Sequence, residues 1–442
     1  MLRRFIMGLK SWLPVAPSSE FSLANIPFGI ASRGSSSAGR PATVLGAHVL
    51  DLNEFTKGNG FAGLEVIQPH LHVFSAPTLN AFAALGRPVH SAVRKYLQDV
   101  FAEGTQYPQV LRDNAALREG AIFPLEAATM HLPMEIGDYT DFFAGINHAH
   151  MVGSLFRGPQ NALQPNYKHL PVAYHGRASS VFVSGTPVHR PWGQILTDPT
   201  ADPKIPSLLP CRRLDIELEL GAFICKPNAP GQPVPVNEAE ESIFGYVIVN
   251  DWSARDLQTW EYVPLGPFNA KNFATTISPW VVLPDALAPF ATEGISNDTE
   301  LLPYLCEKQK LNQYDIRLRV DLISDQTGTA ASTTITETSG KNLLWSFPQM
   351  VAHHTIAGCP MRAGDLLGSG TISGTDERSR GSLLEQNGGG KKVIKLADGQ
   401  ERKFLADGDT VVITGVCGTE EVGLVGFGEC SGKIVKAIET PF

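Results

Sequence analysis

The chain has 442 residues, 43% of them hydrophobic and 18% charged, with a formal charge of −8. That balance describes an ordinary globular protein, long enough for two domains, and argues against a nucleic-acid partner. No apolar run is long enough to span a membrane, and the six cysteines form no Cys-x-x-Cys pair, which speaks against a zinc or redox centre and for free thiols in a reducing compartment.

The first twelve residues carry Arg3, Arg4 and Lys10 with no acid before Glu20, a faint resemblance to a targeting segment. From residue 13 to about 75, short apolar runs separated by Gly, Pro and Ser predict a small β-barrel or meander. From Pro88 the period changes. Val89, Val93, Leu97, Val100 and Phe101 share one helical face, and a second helix is expected over Val110–Arg118. Ala121–Met134 reads as a linking strand, so the expected domains are 13–133 and 134–442.

Beyond the boundary, Gly137-Asp-Tyr-Thr-Asp-Phe-Phe143 is followed by His148 and His150. Asp141 and His148 could supply the carboxylate and base of a metal or catalytic site. The alternative is a helix start capped by Asp141, with the histidines exposed. Arg157 and the cluster Tyr174, His175 and Arg177 suit recognition of a carboxylate, although each residue alone is more often structural. Leu214-Asp-Ile-Glu-Leu-Glu-Leu220 alternates over seven residues, the period of a β-strand. It places Asp215, Glu217 and Glu219 on one face, roughly 7 Å apart, where each neighbouring pair repels by roughly 2 kcal/mol at an intermediate dielectric. Either that face is solvated, or a hard divalent cation with oxygen ligands relieves it.

Ile243–Asp251 reads as a buried strand ending in an acid, with Arg255, Gln258 and Tyr262 close behind. Lys271 stands in an otherwise uncharged stretch, and a lysine buried there would have to be paired or used. Tyr314–Ile335 alternates like two strands. Gly368-Ser-Gly-Thr-Ile-Ser-Gly374 lacks the dinucleotide spacing. Gly388-Gly-Gly-Lys-Lys392 lacks the Ser or Thr of a phosphate loop and is expected at a hairpin tip.

Several strings together resemble the fumarylacetoacetase family: Gly137–Phe142, Leu170–Ser180, Leu214–Leu220, Asn250–Asp256, Trp260–Phe268, Thr275–Trp280, Gly370–Gly374 and Val425–Gly428. The match runs in order from about Leu13 to the C-terminus. The resemblance implies a mainly β fold with some α. It comprises an N-terminal SH3-like barrel domain and a larger, metal-binding domain of the family's mixed β-sandwich roll. It implies a cytoplasmic homodimer that hydrolyses the carbon–carbon bond of 4-fumarylacetoacetate, ending tyrosine and phenylalanine catabolism. Carried over residue by residue, Ca²⁺ ligands would be Asp141, Glu217, Glu219 and Asp251, without Asp215. A Mg²⁺ site would use Asp251 with Lys271 and Thr275, the lysine through its carbonyl because an ammonium cannot ligate a cation. His148 would be the base, oriented by Glu385. Arg255, Gln258 and Lys271 would face the developing charge, and Arg157, Tyr174, Gln258, Tyr262 and Thr371 would contact substrate. Phe143 stands where the family has a substrate-binding tyrosine, and Ala274 where it usually has glycine. Two rivals are weighed: acylpyruvate hydrolases and oxaloacetate decarboxylases of the broader superfamily, and a metal-stabilised scaffold without catalysis. The paired presence of His148 and Glu385 argues against the second.

Overall fold

A computed structural model describes residues 9–34, 38–324 and 330–439. The targeting-like character of the first twelve residues falls mainly on residues 1–8, outside the described residues.

The fold is mainly β. An N-terminal antiparallel sheet of five strands runs in the spatial order Ile122–Pro124, His48–Asp51, Arg40–Leu45, Phe28–Arg33, Ala128–His131. The meander expected to residue 75 ends earlier. Asp51 accepts hydrogen bonds from the backbone of Asn53 and Glu54 and so caps a helix over Leu52–Lys57, and a 3₁₀ stretch covers Glu65–Ser75. The first amphipathic helix spans Arg87–Phe101, with Val93, Leu97, Val100 and Phe101 buried. The second begins only at Ala115, because Asn114 caps it, and ends at Ala121. The segment expected to be a link, Ala121–Met134, instead supplies both edges of the five-stranded sheet.

The larger part holds a mixed sheet of seven strands, in the order Ala173–His175, Tyr139–Phe142, Leu366–Gly368, Leu218–Ile224, Ile243–Asp251, Thr275–Ile277, Val181–Val183. It is buried on both faces, which is why its longest strand, Ile243–Asp251, reads as a near-continuous apolar run. Tyr246 and Ile248 point into one core. There they join Leu318, Val320, Val411 and Ile413 of a second sheet, built on Arg317–Ser324, Ala331–Ser339, Thr410–Cys417 and Cys430–Val435. Val247 and Val249 point the other way, into a core shared with Phe28, Phe82, Leu97 and other N-terminal residues.

The acidic stretch sits at the centre of this sheet. Its leucines and Ile216 all face the inter-sheet core, as the alternation predicts. The strand itself is interrupted: Leu214–Asp215 pairs with Ser253–Ala254, and a separate strand starts at Leu218. Between them, side-chain oxygens replace ladder partners, Asp215 accepting from Ile216 N and Asn250 from Glu217 N. The acids are not solvated. Asp215 and Glu219 are 0% exposed and Glu217 is 5% exposed.

Candidate active site

The segment Tyr139–Arg157 builds half of the site. Asp141 lies within the strand Tyr139–Phe142 rather than capping a helix, and the chain then turns into the helix Ile146–Arg157, which carries His148 in its first turn. Gly145 precedes that helix because the backbone of Thr371 crosses it; a Cβ there would lie 2.1 Å from the Thr371 carbonyl oxygen.

His148 is buried, and its Nδ1 lies 2.7 Å from Glu385 Oε2. The same oxygen accepts hydrogen bonds from Ser373 (2.9 Å) and Ser382 (2.8 Å). Burial alone would raise the pKa of Glu385. The positive charge His148 can carry, with the hydrogen bonds from His148, Ser382 and Ser373, outweighs burial and holds it below the ordinary value. A carboxylate that accepts from Nδ1–H fixes the tautomer whose free lone pair is on Nε2. Nε2 lies on the far side of the ring, 3.7 Å from Glu217 Oε1. The Phe143 ring packs edge-on against the imidazole, with centroids 5.6 Å apart at 87°.

The carboxylates converge from four strands or turns. Asp141, Glu219 and Asp251 each offer an oxygen within 4.8 Å of the others, all buried. Glu217 differs from them. It receives the Lys271 ammonium and Arg255 Nη1 (2.8 Å), and these cations hold its pKa far below the ordinary value although burial pushes the other way. Lys271 also reaches Asp251 Oδ2 at 2.5 Å, and Thr275 and Tyr174 donate to the two oxygens of Asp251. Burial raises the pKa of Glu219, and the charges of Asp141 and Asp251 raise it further; Asp141 is raised by burial and by Asp251. Both oxygens of Glu219 are buried without a hydrogen-bond partner.

Asp141, Glu217, Glu219 and Asp251 thus meet, among the described residues, the ammonium of Lys271 and the guanidinium of Arg255, and Arg255 is shared with Asp215 behind it. A cluster with that excess of negative charge and two orphaned carboxylate oxygens fits a hard divalent cation. Gly368 leaves the space for one. A Cβ there would stand 2.5 Å from Asp141 Oδ1 and 3.2 Å from Glu219 Oε2.

A single cavity of about 350 Å³ is lined by Asp141, Phe143, His148, Arg157, Tyr174, Glu217, Glu219, Arg255, Gln258, Tyr262, Lys271 and Thr371. Asp251 and Thr275 line an adjoining cavity of about 210 Å³ that shares Tyr174 and Lys271. Glu385 lies behind His148. The residues singled out from the sequence therefore meet at one place, although they span positions 141 to 385. His150 is exposed on the same helix and is absent from the cavity lining.

Residues 140–435 match the family described as "Fumarylacetoacetate (FAA) hydrolase C-terminal" and residues 24–133 the one described as "Fumarylacetoacetase N-terminal". The chain is 61% identical over 436 residues to the fumarylacetoacetase FahA of Aspergillus fumigatus, covering 98% of this chain and 100% of that one. It is 46% identical over 428 residues to the human fumarylacetoacetase, covering 97% and 99%. The chain belongs to the fumarylacetoacetase family. A crystal structure of an HpcE protein from Mycobacterium smegmatis shares the fold, with a TM-score of 0.52 at 17% identity over 92% of this chain and 99% of that one.

Some of what builds this family site was missed in the sequence. Ser382-Leu-Leu-Glu385 carries the Ser-x-x-Glu signature of a helix start, and here the serine holds the carboxylate as well as capping the turn. The run Gly368–Gly374, rejected as a nucleotide loop and given only Thr371 as a site residue by the resemblance, forms a wall of the site and supplies Ser373 as well as Thr371. Gly388–Gly390 is the exit of the turn Leu383–Gln386 rather than a hairpin tip; the hairpin that follows pairs Ile394–Lys395 with Glu401–Arg402.

Proposed function

We propose that the chain hydrolyses the carbon–carbon bond of 4-fumarylacetoacetate, giving fumarate and acetoacetate, the last step of tyrosine and phenylalanine catabolism. The observation that carries the reading is His148, backed by Glu385, opening onto the same cavity as the buried carboxylates Asp141, Glu217 and Glu219, with Asp251 in the adjoining cavity.

Asp141, Glu217, Glu219 and Asp251 would hold a divalent cation, taken here as Ca²⁺. Mg²⁺ would lie beside Asp251 and Thr275, and Lys271 would act as a charge partner. Bound there, such an ion polarises the oxygens of a β-diketone. The chain's own groups do the rest. Nε2 of His148 takes a proton from water as the water oxygen attacks the ketone carbon next to the double bond. Glu385 holds the imidazole in position and stabilises its positive charge. The bond from that carbon to the methylene then breaks, its electron pair passing to the methylene carbon and onward into the neighbouring carbonyl as an enolate. Arg255 Nη2, buried without a hydrogen-bond partner, and the Lys271 ammonium are the donors aimed at that charge, and Gln258 is held beside them by Arg255 Nη1. The proton held by His148 returns to the methylene carbon, which balances the reaction. Arg157, exposed at the cavity rim, would receive a terminal carboxylate, with Tyr174, Tyr262 and Thr371 along the wall.

We take residues 13–133 and 134–442 as the two domains and the assembly as a cytoplasmic homodimer. No helix among the described residues is long and apolar enough to cross a membrane. The test is a side-by-side assay of the purified chain on fumarylacetoacetate, an acylpyruvate and oxaloacetate. Stoichiometric fumarate and acetoacetate from the first, with much slower turnover of the others, is the expected result. Preference for an acylpyruvate or for oxaloacetate would overturn the assignment.

A further inference from the structure

We propose that Asp215, which lines neither the cavity nor the cation cluster, is the positioning residue that ties the proton-transfer pair and the cavity guanidinium to one frame. The proposal rests on the hydrolytic reading above. Asp215 is fully buried, and its two oxygens accept from three parts of the chain. Oδ2 accepts from Arg255 Nε at 2.8 Å and from Leu384 N at 3.0 Å. Oδ1 accepts from Leu383 N at 2.8 Å and from Ile216 N at 2.8 Å.

The two sets of contacts lead to different halves of the chemistry. Arg255, held through Nε, turns Nη1 to Glu217 and to Gln258 Oε1 (3.1 Å). Leu383 and Leu384 open the helical turn whose third residue is Glu385, and Glu385 reaches His148. One carboxylate therefore sets the distance between the base and the guanidinium that donates to the enolate charge. Only a doubly accepting, ionised side chain does this, because every partner is a donor: a guanidinium N–H and three backbone N–H groups. An asparagine of the same volume has one acceptor oxygen and an N–H₂ that would face a donor. With its oxygen at the Oδ2 position it keeps Arg255 Nε and Leu384 N but sets the N–H₂ against Leu383 N and Ile216 N, and turned over it loses the arginine and Leu384 N.

Asp215→Asn is thus expected to keep its divalent-cation content and to lose about 10–100-fold in kcat, the usual cost of removing a partner behind a working group, with KM little changed. In a Glu385→Gln background the same substitution should cost far less, since a helical turn without its carboxylate has little left to position. A merely structural role would give the same loss in both backgrounds, and losses that multiply overturn the proposal. If Asp215→Asn does not fold, Leu383→Pro removes one of the donated N–H groups and leaves Asp215 and Arg255 in place. Ser382 already has the extended backbone, φ −139° and ψ 151°, that precedes a proline. Its loss should also shrink in the Glu385→Gln background.

The Nδ1–H proton of His148, read by NMR without substrate, separates this proposal from the functional one. Asp215→Asn should move that downfield resonance upfield or broaden it. A chain that leaves fumarylacetoacetate intact but shows the shift would overturn the functional reading alone. An unmoved resonance together with an unchanged kcat would overturn the positioning role.

Discussion

Glu219→Gln should change the sign of its effect on stability with the divalent cation. Glu219 is 0% exposed, with both oxygens unpartnered and Asp141 and Asp251 oxygens within 4.8 Å. At an effective dielectric near 20, two full charges at that distance repel by about 3.5 kcal/mol, so two such neighbours set a ceiling of about 7 kcal/mol. Much of this is relieved by proton uptake, since burial first and the neighbouring charges second push Glu219 well above the ordinary carboxylate range. A net 1–3 kcal/mol, roughly, is left for the neutral amide to release. The sign follows from linkage. A carboxyl whose folded pKa is raised contributes stability below its unfolded pKa near 4.5 and loses it as pH rises toward the folded value. In chelator at pH 7–8, Glu219→Gln should therefore be more stable than the parent, and the gap should close as pH falls toward 4.5. With saturating Ca²⁺ or Mg²⁺ the order should reverse, because the variant loses at least ~10–100-fold in cation affinity. Denaturant titrations in chelator and in metal, with metal content measured on the same samples, check this. A variant less stable than the parent in chelator, with full metal content, would refute the reasoning.

Removing a general base typically costs roughly 10²–10⁴-fold in rate, so His148→Ala should fall by that much while still folding and holding metal. Glu385→Gln should fall somewhat less, and the double variant should be hardly worse than His148→Ala; rates that multiply would show that the two act independently. Phe143→Tyr restores a hydroxyl beside His148 and should lower KM by the equivalent of roughly 0.5–1.5 kcal/mol with kcat little changed; an unchanged or higher KM would place that side chain outside substrate contact. Glu20 tests the contact between the N-terminal segment and the C-terminal strands. Its Oε2 accepts from Gly428 N at 3.2 Å, and burial, helped by Glu429 and opposed by that N–H, raises its pKa to about 7. Its contribution to stability is present below 4.5 and lost as pH rises through 7. Glu20→Gln should thus gain on the parent between pH 5 and pH 8, by on the order of 1–3 kcal/mol, and parallel melting curves across that range would contradict the assignment.

The strands were legible where one period governed many residues. Leu214–Leu220 alternates because one side faces the inter-sheet core, and Ile243–Val249 carries no charge or amide because both its faces are covered. The burial of the acids was not legible, because it comes from the sheet being covered on both sides by parts of the chain far away in sequence. Local caps misled the boundaries: Asp51 starts a helix inside the expected meander, and Asn114 delays another. Asp141, Glu217, Glu219 and Asp251 stand out as acids in apolar surroundings. Glu385 does not, since only a hydrogen bond across 237 positions gives it a role, and its assignment came from the family resemblance alone. Asp215 has the same pattern as Glu217 and Glu219. Its different partner, Arg255, appears only when the two strands are laid side by side.

The most direct test of the central claim, that a divalent cation in the carboxylate cluster and the His148–Glu385 pair together cleave fumarylacetoacetate, is one rate measurement. The purified chain is stripped with chelator, assayed for acetoacetate release, and then titrated with Ca²⁺ or Mg²⁺. Activity should vanish on stripping and return in parent and Phe143→Tyr but not in Glu219→Gln or His148→Ala, the latter having rebound its metal. Full-rate acetoacetate release from the stripped parent, or metal-restored activity in Glu219→Gln, would contradict the account.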